Sequence, residues 1–271
     1  MDRESRNDLT PLELLFGLAN LVASPGRMGE AARWQRRVKG FVLDQIGDPP
    51  ARALEVGCGK RDLAYALDRA GYSVTAIDPR APEGPIFRRV GIEEFSEPGP
   101  FDHVVAILSL HHVEDIGGAL DKIVSLLRAR GTLVVVEFAW DLIHVATAEW
   151  ALAHLPDTSA SGKRSWLERC YRGRAHDRGD EGGHLHAEAH VARWAGEEGL
   201  HSSGQMLEEI GRRFAQRSFS WWPYLYPDLG DNTSEADELA AIEAGEINAT
   251  SFCYVGAVES ERSAFTRWAG A

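Results

Sequence analysis

The 271-residue chain is 44% apolar and 26% charged, a composition that suits one large buried core or a core with a substantial insertion. A formal net charge of −12 argues against general affinity for nucleic acid or anionic membrane, since both are polyanions. The opening MDRESRNDLT lacks the apolar core of a signal peptide, no stretch approaches a membrane-spanning length, and Cys58, Cys170 and Cys253 are too few and too dispersed for a disulfide framework. The expectation is a cytoplasmic, soluble protein.

Residues 10–22 read as a helix, with Thr10 as N-cap and Pro11 at the first helical position. A second helix runs from about Gly29 to Ile46, carries Trp34, Val38, Phe41 and Val42, and stops at Gly47-Asp48-Pro49-Pro50. Ala53–Val56 then suits a strand buried on both faces. Gly57-Cys58-Gly59 makes a turn, and Leu63, Ala66, Leu67 and Ala70 recur at helical spacing up to Gly71. Ser73–Ile77 is a second buried strand that ends on Asp78.

This β-α-β unit has the chemistry of a nucleoside site. Glycines let the backbone turn tightly against a ligand, the helix start offers free N–H groups, and a carboxylate ending the second strand can accept from both ribose hydroxyls. A dinucleotide fingerprint needs glycine at the sixth position of G-x-G-x-x-G; here Asp62 stands there, and its charge would repel a pyrophosphate. NAD and FAD are disfavoured on that ground.

Further along, Ile86–Val90 reads as a short third strand and His103–Ile107 as a fourth, running into Ser109-Leu110-His111-His112-Val113. A helix from about Ile116 to Ala129 precedes a fifth strand over residues 132–138. From Asp141 to His201 the alternation of strand and helix lapses; this segment holds seven of the ten histidines, and Trp140, Trp150, Trp166 and Trp194 either wall an apolar pocket or pack as core. His186 and His190, at i and i+4 with His184 or Glu188 nearby, have a spacing that can bind zinc and equally that of a solvated helix start. Residues 206–214 return to helix, 218–222 to strand, Thr233 or Ser234 caps a helix to Gly245, and Thr250–Val258 is a last strand.

The run Glu55-Val56-Gly57-Cys58-Gly59-Lys60-Arg61 resembles motif I of the class I S-adenosylmethionine-dependent methyltransferases, E/D-x-G-x-G-x-G, with Arg61 replacing the final glycine. Phe101-Asp102 leading to Leu110-His111-His112, and Arg130-Gly131-Thr132-Leu133, are similar to that family's motifs around the fourth and fifth strands. The resemblance implies an α/β fold, a three-layer α/β/α sandwich. Its sheet would be mostly parallel and seven-stranded, with the last strand antiparallel beside the sixth, plus a helical insertion. It implies residues 1–50 as an N-terminal helical lid, 51–140 and 202–260 as the core, and 141–201 as an insertion forming the acceptor pocket.

The same resemblance implies S-adenosylmethionine as cofactor, S-adenosylhomocysteine as product, and a small or mid-sized organic acceptor of the kind met in secondary metabolism. Cofactor contacts then fall on Glu55, Gly57, Cys58, Gly59, Asp78, Pro79, Ile92, Glu93 and Leu108. Relatives often carry an acidic residue where Gly91 stands, and Glu93 is the substitute at hand. No metal is required for methyl transfer. His111 is the candidate base because it follows the strand end nearest the methyl group; orienting its loop is the competing role, and Glu137 and Asp141 are reserve candidates. A non-catalytic cofactor-binding protein and a nicotinamide-dependent oxidoreductase are the alternatives. The acceptor's identity and the oligomeric state are left open.

Overall fold

The computed structural model describes residues 25–59, 62–155, 187–230 and 232–258. The described residues of 35–142, 199–222 and 249–271 form one compact unit, and those of 1–34, 143–198 and 223–248 form another. The helix expected at 10–22 and residues 156–186 of the histidine-rich segment lie outside the described residues.

The first unit contains the sheet. Its strands are β1 (Arg52–Val56), β2 (Ser73–Ile77), β3 (Phe87–Arg88), β4 (Phe101–Ile107), β5 (Leu127–Phe138), β6 (Phe214–Trp222) and β7 (Ser251–Val258), in the spatial order β3-β2-β1-β4-β5-β7-β6. Strands β1 to β5 pair in parallel, and β7 lies antiparallel between β5 and β6, as the resemblance implied. Central strands read as continuous apolar runs because both faces are covered: residues 131–138 of β5 are buried without a break.

Helices α1 (Pro25–Ile46), α2 (Asp62–Ala70), α3 (Ile116–Leu126) and α6 (Ser203–Arg213) carry the apolar stripes. Ile116, Leu120 and Ile123 of α3 and Met206 and Ile210 of α6 join Leu54, Val104, Leu133 and Val135 in one buried cluster. The start of α6 is fixed by a capping box in which Ser202 accepts from the Gln205 N–H and the Gln205 side chain accepts from the Ser202 N–H. Arg213 ties α6 to α3 through Asp121 at 2.6 Å.

Three boundaries differ from the sequence reading. Strand β3 is only two residues long: just past it the Val90 N–H is shared between the Asp78 carbonyl at 3.1 Å and the Arg88 carbonyl two residues back at 3.0 Å, which folds the chain into a tight turn. Helix α3 stops at Leu126 and not near Ala129: Leu127 is already extended and pairs with Phe101, and Arg130 takes a positive φ of 62° before the main run of β5. Strand β6 starts at Phe214, four residues early, because β7 supplies ladder partners as far as Val258.

In the second unit are α4 (Val145–Ala153), α5 (Ala187–Glu197) and α7 (Glu235–Glu243). Ser234 and Asp237 form a capping box at the start of α7. Glu238, fully buried one turn in, accepts from the backbone N–H groups of Tyr224, Leu225 and Tyr226 at 2.9, 3.1 and 2.7 Å. Burial pushes its carboxyl group up from the usual range while those three donors pull it back. A single side chain therefore answers three successive backbone donors of the turn after Pro223.

Candidate active site at the carboxyl edge of the sheet

Strand order reverses between β1 and β4, so the loops leaving their carboxyl ends run in opposite directions and open a crevice, the usual ligand position in such sheets. The turn after β1 forms one wall. Gly57 has φ +76° and Gly59 φ +41°, backbone conformations that side-chain-bearing residues rarely adopt. The N–H groups of Gly57 and Cys58 donate to the Ile77 carbonyl at 2.8 and 3.0 Å, which ties the turn to the end of β2. Asp78 completes the tie: its carboxylate accepts from the Gly59 N–H at 3.1 Å and the Arg80 N–H at 2.7 Å. Two acceptor directions of that half-buried carboxylate remain for a ligand. Pro79, next along, is exposed.

The turn after β4 forms the facing wall, and it is organised by one carboxylate. Glu137, near the end of β5 and fully buried, accepts from the N–H groups of Ser109 at 2.7 Å and Leu110 at 2.5 Å. Its other oxygen lies 2.5 Å from His111 Nδ1 and 3.2 Å from the Phe138 N–H. Three of these four contacts come from backbone N–H groups that can only donate; with Glu137 as a carboxylate, which only accepts, the fourth contact is a bond donated by Nδ1. The lone pair of a neutral His111 ring consequently sits on Nε2, which is buried and without a partner among the described residues.

His112 packs its ring against His111 at 4.1 Å. Burial, followed by the charges of His111 and Arg80, pushes it down to about 3, so it stays neutral. Leu108, buried, adopts φ +49°, and a non-glycine residue held there marks a turn fixed by its surroundings. Its N–H donates to the Val136 carbonyl at 2.8 Å. A third segment straps the turn from outside: the His201 N–H donates to the His111 carbonyl at 3.0 Å, and the Trp140 indole donates to the His201 carbonyl at 3.0 Å.

The structure thus gathers Gly57, Cys58, Gly59 and Asp78 on one wall, and Leu108, His111 and Glu137 on the other. Ile92 is buried beyond the end of β3 and Glu93 is exposed beside it; a Cβ added at Gly91 would lie 3.1 Å from the Glu93 carboxylate. Asp141 is turned to another use. Its carboxylate accepts from the N–H and hydroxyl of Ser203 at 2.7 and 2.8 Å, anchoring the first turn of α6. Glu55, 3% exposed on β1, is pushed far out of its range, up to about 8, first by burial and then by the charges of Asp78 and Asp62, against a bond from the Ala64 N–H.

Ser109 was invisible as a site residue in the sequence. Its Cβ and Oγ lie 2.3 and 3.0 Å from where a Cβ on Gly57 would stand, and its hydroxyl is buried without a partner among the described residues. Gly57 signals that something approaches closely, but only the fold says which segment does. Among the described residues no group of three or more His, Cys, Asp or Glu side chains has the arrangement to hold a metal ion. His184 and His186 lie outside those residues, while His190 on α5 meets the Arg193 guanidinium at 2.9 Å.

A profile described as a methyltransferase domain matches residues 29–230. The chain belongs to the methyltransferase domain family.

The resemblance carried by motif I, Asp78 and Leu110-His111-His112 is borne out at the level of family and fold. Within this family the chain is 35% identical over 109 residues to the ubiquinone biosynthesis O-methyltransferase of Xanthomonas campestris pv. campestris, covering 34% of this chain and 45% of that protein. It is 32% identical over 135 residues to the Xylella fastidiosa protein of the same name, covering 43% and 55%. The chain spans about half the length of the curated relatives it matches. In fold, this methyltransferase-family chain is similar to the N-methyltransferase NodS from Bradyrhizobium japonicum in complex with S-adenosylhomocysteine, with TM-score 0.52, 14% identity and coverage of 92% and 98%. It is also similar to the geranyl diphosphate C-methyltransferase of Streptomyces coelicolor A3(2), with TM-score 0.53, 12% identity and coverage of 89% and 86%.

Proposed function

We propose that the chain transfers a methyl group from S-adenosylmethionine to a small organic acceptor and releases S-adenosylhomocysteine. The observation that carries this reading is the suture between Asp78 and the Gly57–Gly59 turn at the point where strand order reverses. The residues present fit the cofactor. Asp78 has acceptor capacity for the ribose hydroxyls, and the Ile92 N–H and the Glu93 carboxylate, which lies over Gly91, suit the adenine edge. The methionine end then runs past Glu55, Gly57, Cys58 and Leu108. Two buried polar atoms without partners among the described residues, Glu55 Oε2 and Ser109 Oγ, belong to the segments on either side of that path.

When bound, the sulfonium supplies an already activated methyl group. The chain's task is then to align the acceptor, exclude water and receive a proton where the acceptor must lose one. His111 Nε2 is the atom for that last step: Glu137 takes the Nδ1 proton's hydrogen bond and leaves the Nε2 lone pair facing outward from the pair. Glu137 itself is saturated by four donors and acts by positioning His111. The acceptor is proposed as a small molecule, and the insertion at 141–201 as the region that selects it.

Titration with S-adenosylhomocysteine, followed by a turnover screen over phenols, amines and carboxylic acids, tests the reading. His111→Ala is expected to bind cofactor normally and to lose about 10²–10⁴-fold in turnover, the usual weight of a general base. Tight binding of a nicotinamide nucleotide without binding of S-adenosylhomocysteine would overturn the proposal. Tight cofactor binding with no turnover on any acceptor would replace it with a non-catalytic cofactor-binding role.

A further inference from the structure

Glu55 is the residue of the site whose surroundings do not match its charge. It is buried on β1, two positions before Gly57, and one carboxyl oxygen takes the N–H of Ala64 from the first turn of α2. Oε2 is buried and has no partner among the described residues. The charged groups that face it are Asp78 from the end of β2 and Asp62 from α2, both negative, opposed by Lys39 of α1. Across the ladder on β4 its neighbour is Val105, which offers no donor. An ionised carboxylate with a bare oxygen in such a place is disfavoured, because neither burial nor the two neighbouring acids favours its charge.

With the ribose held by Asp78, as proposed above, the amino-acid end of the cofactor extends over the ends of β1 and β4, beside Gly57. That end carries an ammonium group. We infer that Glu55 rests as a neutral carboxylic acid and releases its proton when the ligand's ammonium group enters the crevice beside Gly57, so that cofactor binding and proton release are one event. The Glu55 O–H bond breaks, the proton passes to solvent, and the ammonium keeps its own protons. Burial that pushes the carboxyl up to about 8 sets the range over which this coupling is felt. The residue thereby reads the amino-acid end and ignores the nucleoside.

Calorimetry of S-adenosylhomocysteine binding at pH 7 in two buffers of different ionisation enthalpy counts the protons. Release approaching one proton per site is expected. 5′-Methylthioadenosine, which shares the nucleoside but lacks the amino acid, is expected to bind with no release. The dissociation constant for S-adenosylhomocysteine should fall about tenfold between pH 6 and pH 7, the slope of one linked proton, and Glu55→Gln should flatten that slope. Equal proton counts for the two ligands, or a pH profile unchanged in Glu55→Gln, would overturn the inference. The wild-type proton count needs no variant, so a poorly folding Glu55→Gln leaves the test intact. No binding of S-adenosylhomocysteine at any pH would instead sink the cofactor reading on which the inference rests.

Discussion

A Cβ placed on Gly57 would lie 2.3 Å from the Cβ of Ser109, closer than any real pair of such atoms. Two segments more than fifty residues apart meet there with no room for a methyl group, at a position whose φ of +76° already excludes most side chains. Gly57→Ala should therefore cost about 2–4 kcal/mol, combining left-handed strain with overpacking. Chemical denaturation measures this. Adding Ser109→Gly should recover the overpacking share and leave the strain, and a double variant no more stable than Gly57→Ala would show that the two residues do not abut.

Removing the Asp78 carboxylate should act on ligand affinity more than on folding. Asp78→Ala is expected to weaken S-adenosylhomocysteine binding by about 1.5–3 kcal/mol, the range for hydrogen bonds to a charged acceptor. Titration calorimetry gives the number, and unchanged affinity would mean the ribose lies elsewhere.

Glu137 gathers donors from Ser109, Leu110, His111 and Phe138 in a fully buried place. Glu137→Ala leaves all four unanswered and should destabilise the protein by about 3–5 kcal/mol, as for a buried charged network that loses one member. Glu137→Gln keeps the shape but turns an NH₂ toward donors, so it should also destabilise, by about 1–3 kcal/mol. Urea unfolding of both variants distinguishes this clamp from a merely solvated acid, which would show no loss.

Glu238 makes the corresponding prediction for the other unit. Its three backbone donors at Tyr224, Leu225 and Tyr226 are lost together in Glu238→Ala, and a fall of about 2–4 kcal/mol is expected. Faster amide exchange confined at first to residues 224–226 would locate the damage; protection unchanged at those amides would contradict it.

Stability should fall on both sides of a window near pH 5–6. Glu55 is raised to about 8 in the folded protein, so its contribution is fully present below about 4.5 and is lost as pH rises towards 8. His112 is lowered to about 3, so its contribution is present above 6.5 and is lost as pH falls towards 3. Each group changes stability by up to about 1.4 kcal/mol per pH unit within its range. Denaturation midpoints across pH 4–8 should rise at the alkaline end in Glu55→Gln, and a profile identical to wild type would refute the alkaline arm.

Local sequence determined a good deal. Apolar runs fixed β1, β2, β4 and the core of β5, because strands covered on both faces have no polar positions to blur their limits. The glycines at 57 and 59, an acid at the end of the second strand and a capping pair at Ser234 are written in neighbouring residues, so the turn after β1 and the start of α7 were legible. What the chain alone left undecided depends on contacts between distant segments. The length of β6 is set by its ladder with β7, and the early end of α3 by the pairing of Leu127 with Phe101. The roles of the acids were undecided for the same reason. Glu137 and Asp141 sit four residues apart and looked interchangeable as bases. Tertiary structure gives one to His111 and the turn after β4, and the other to Ser203 at the head of α6, because a carboxylate's function is fixed by which donors the fold brings to it.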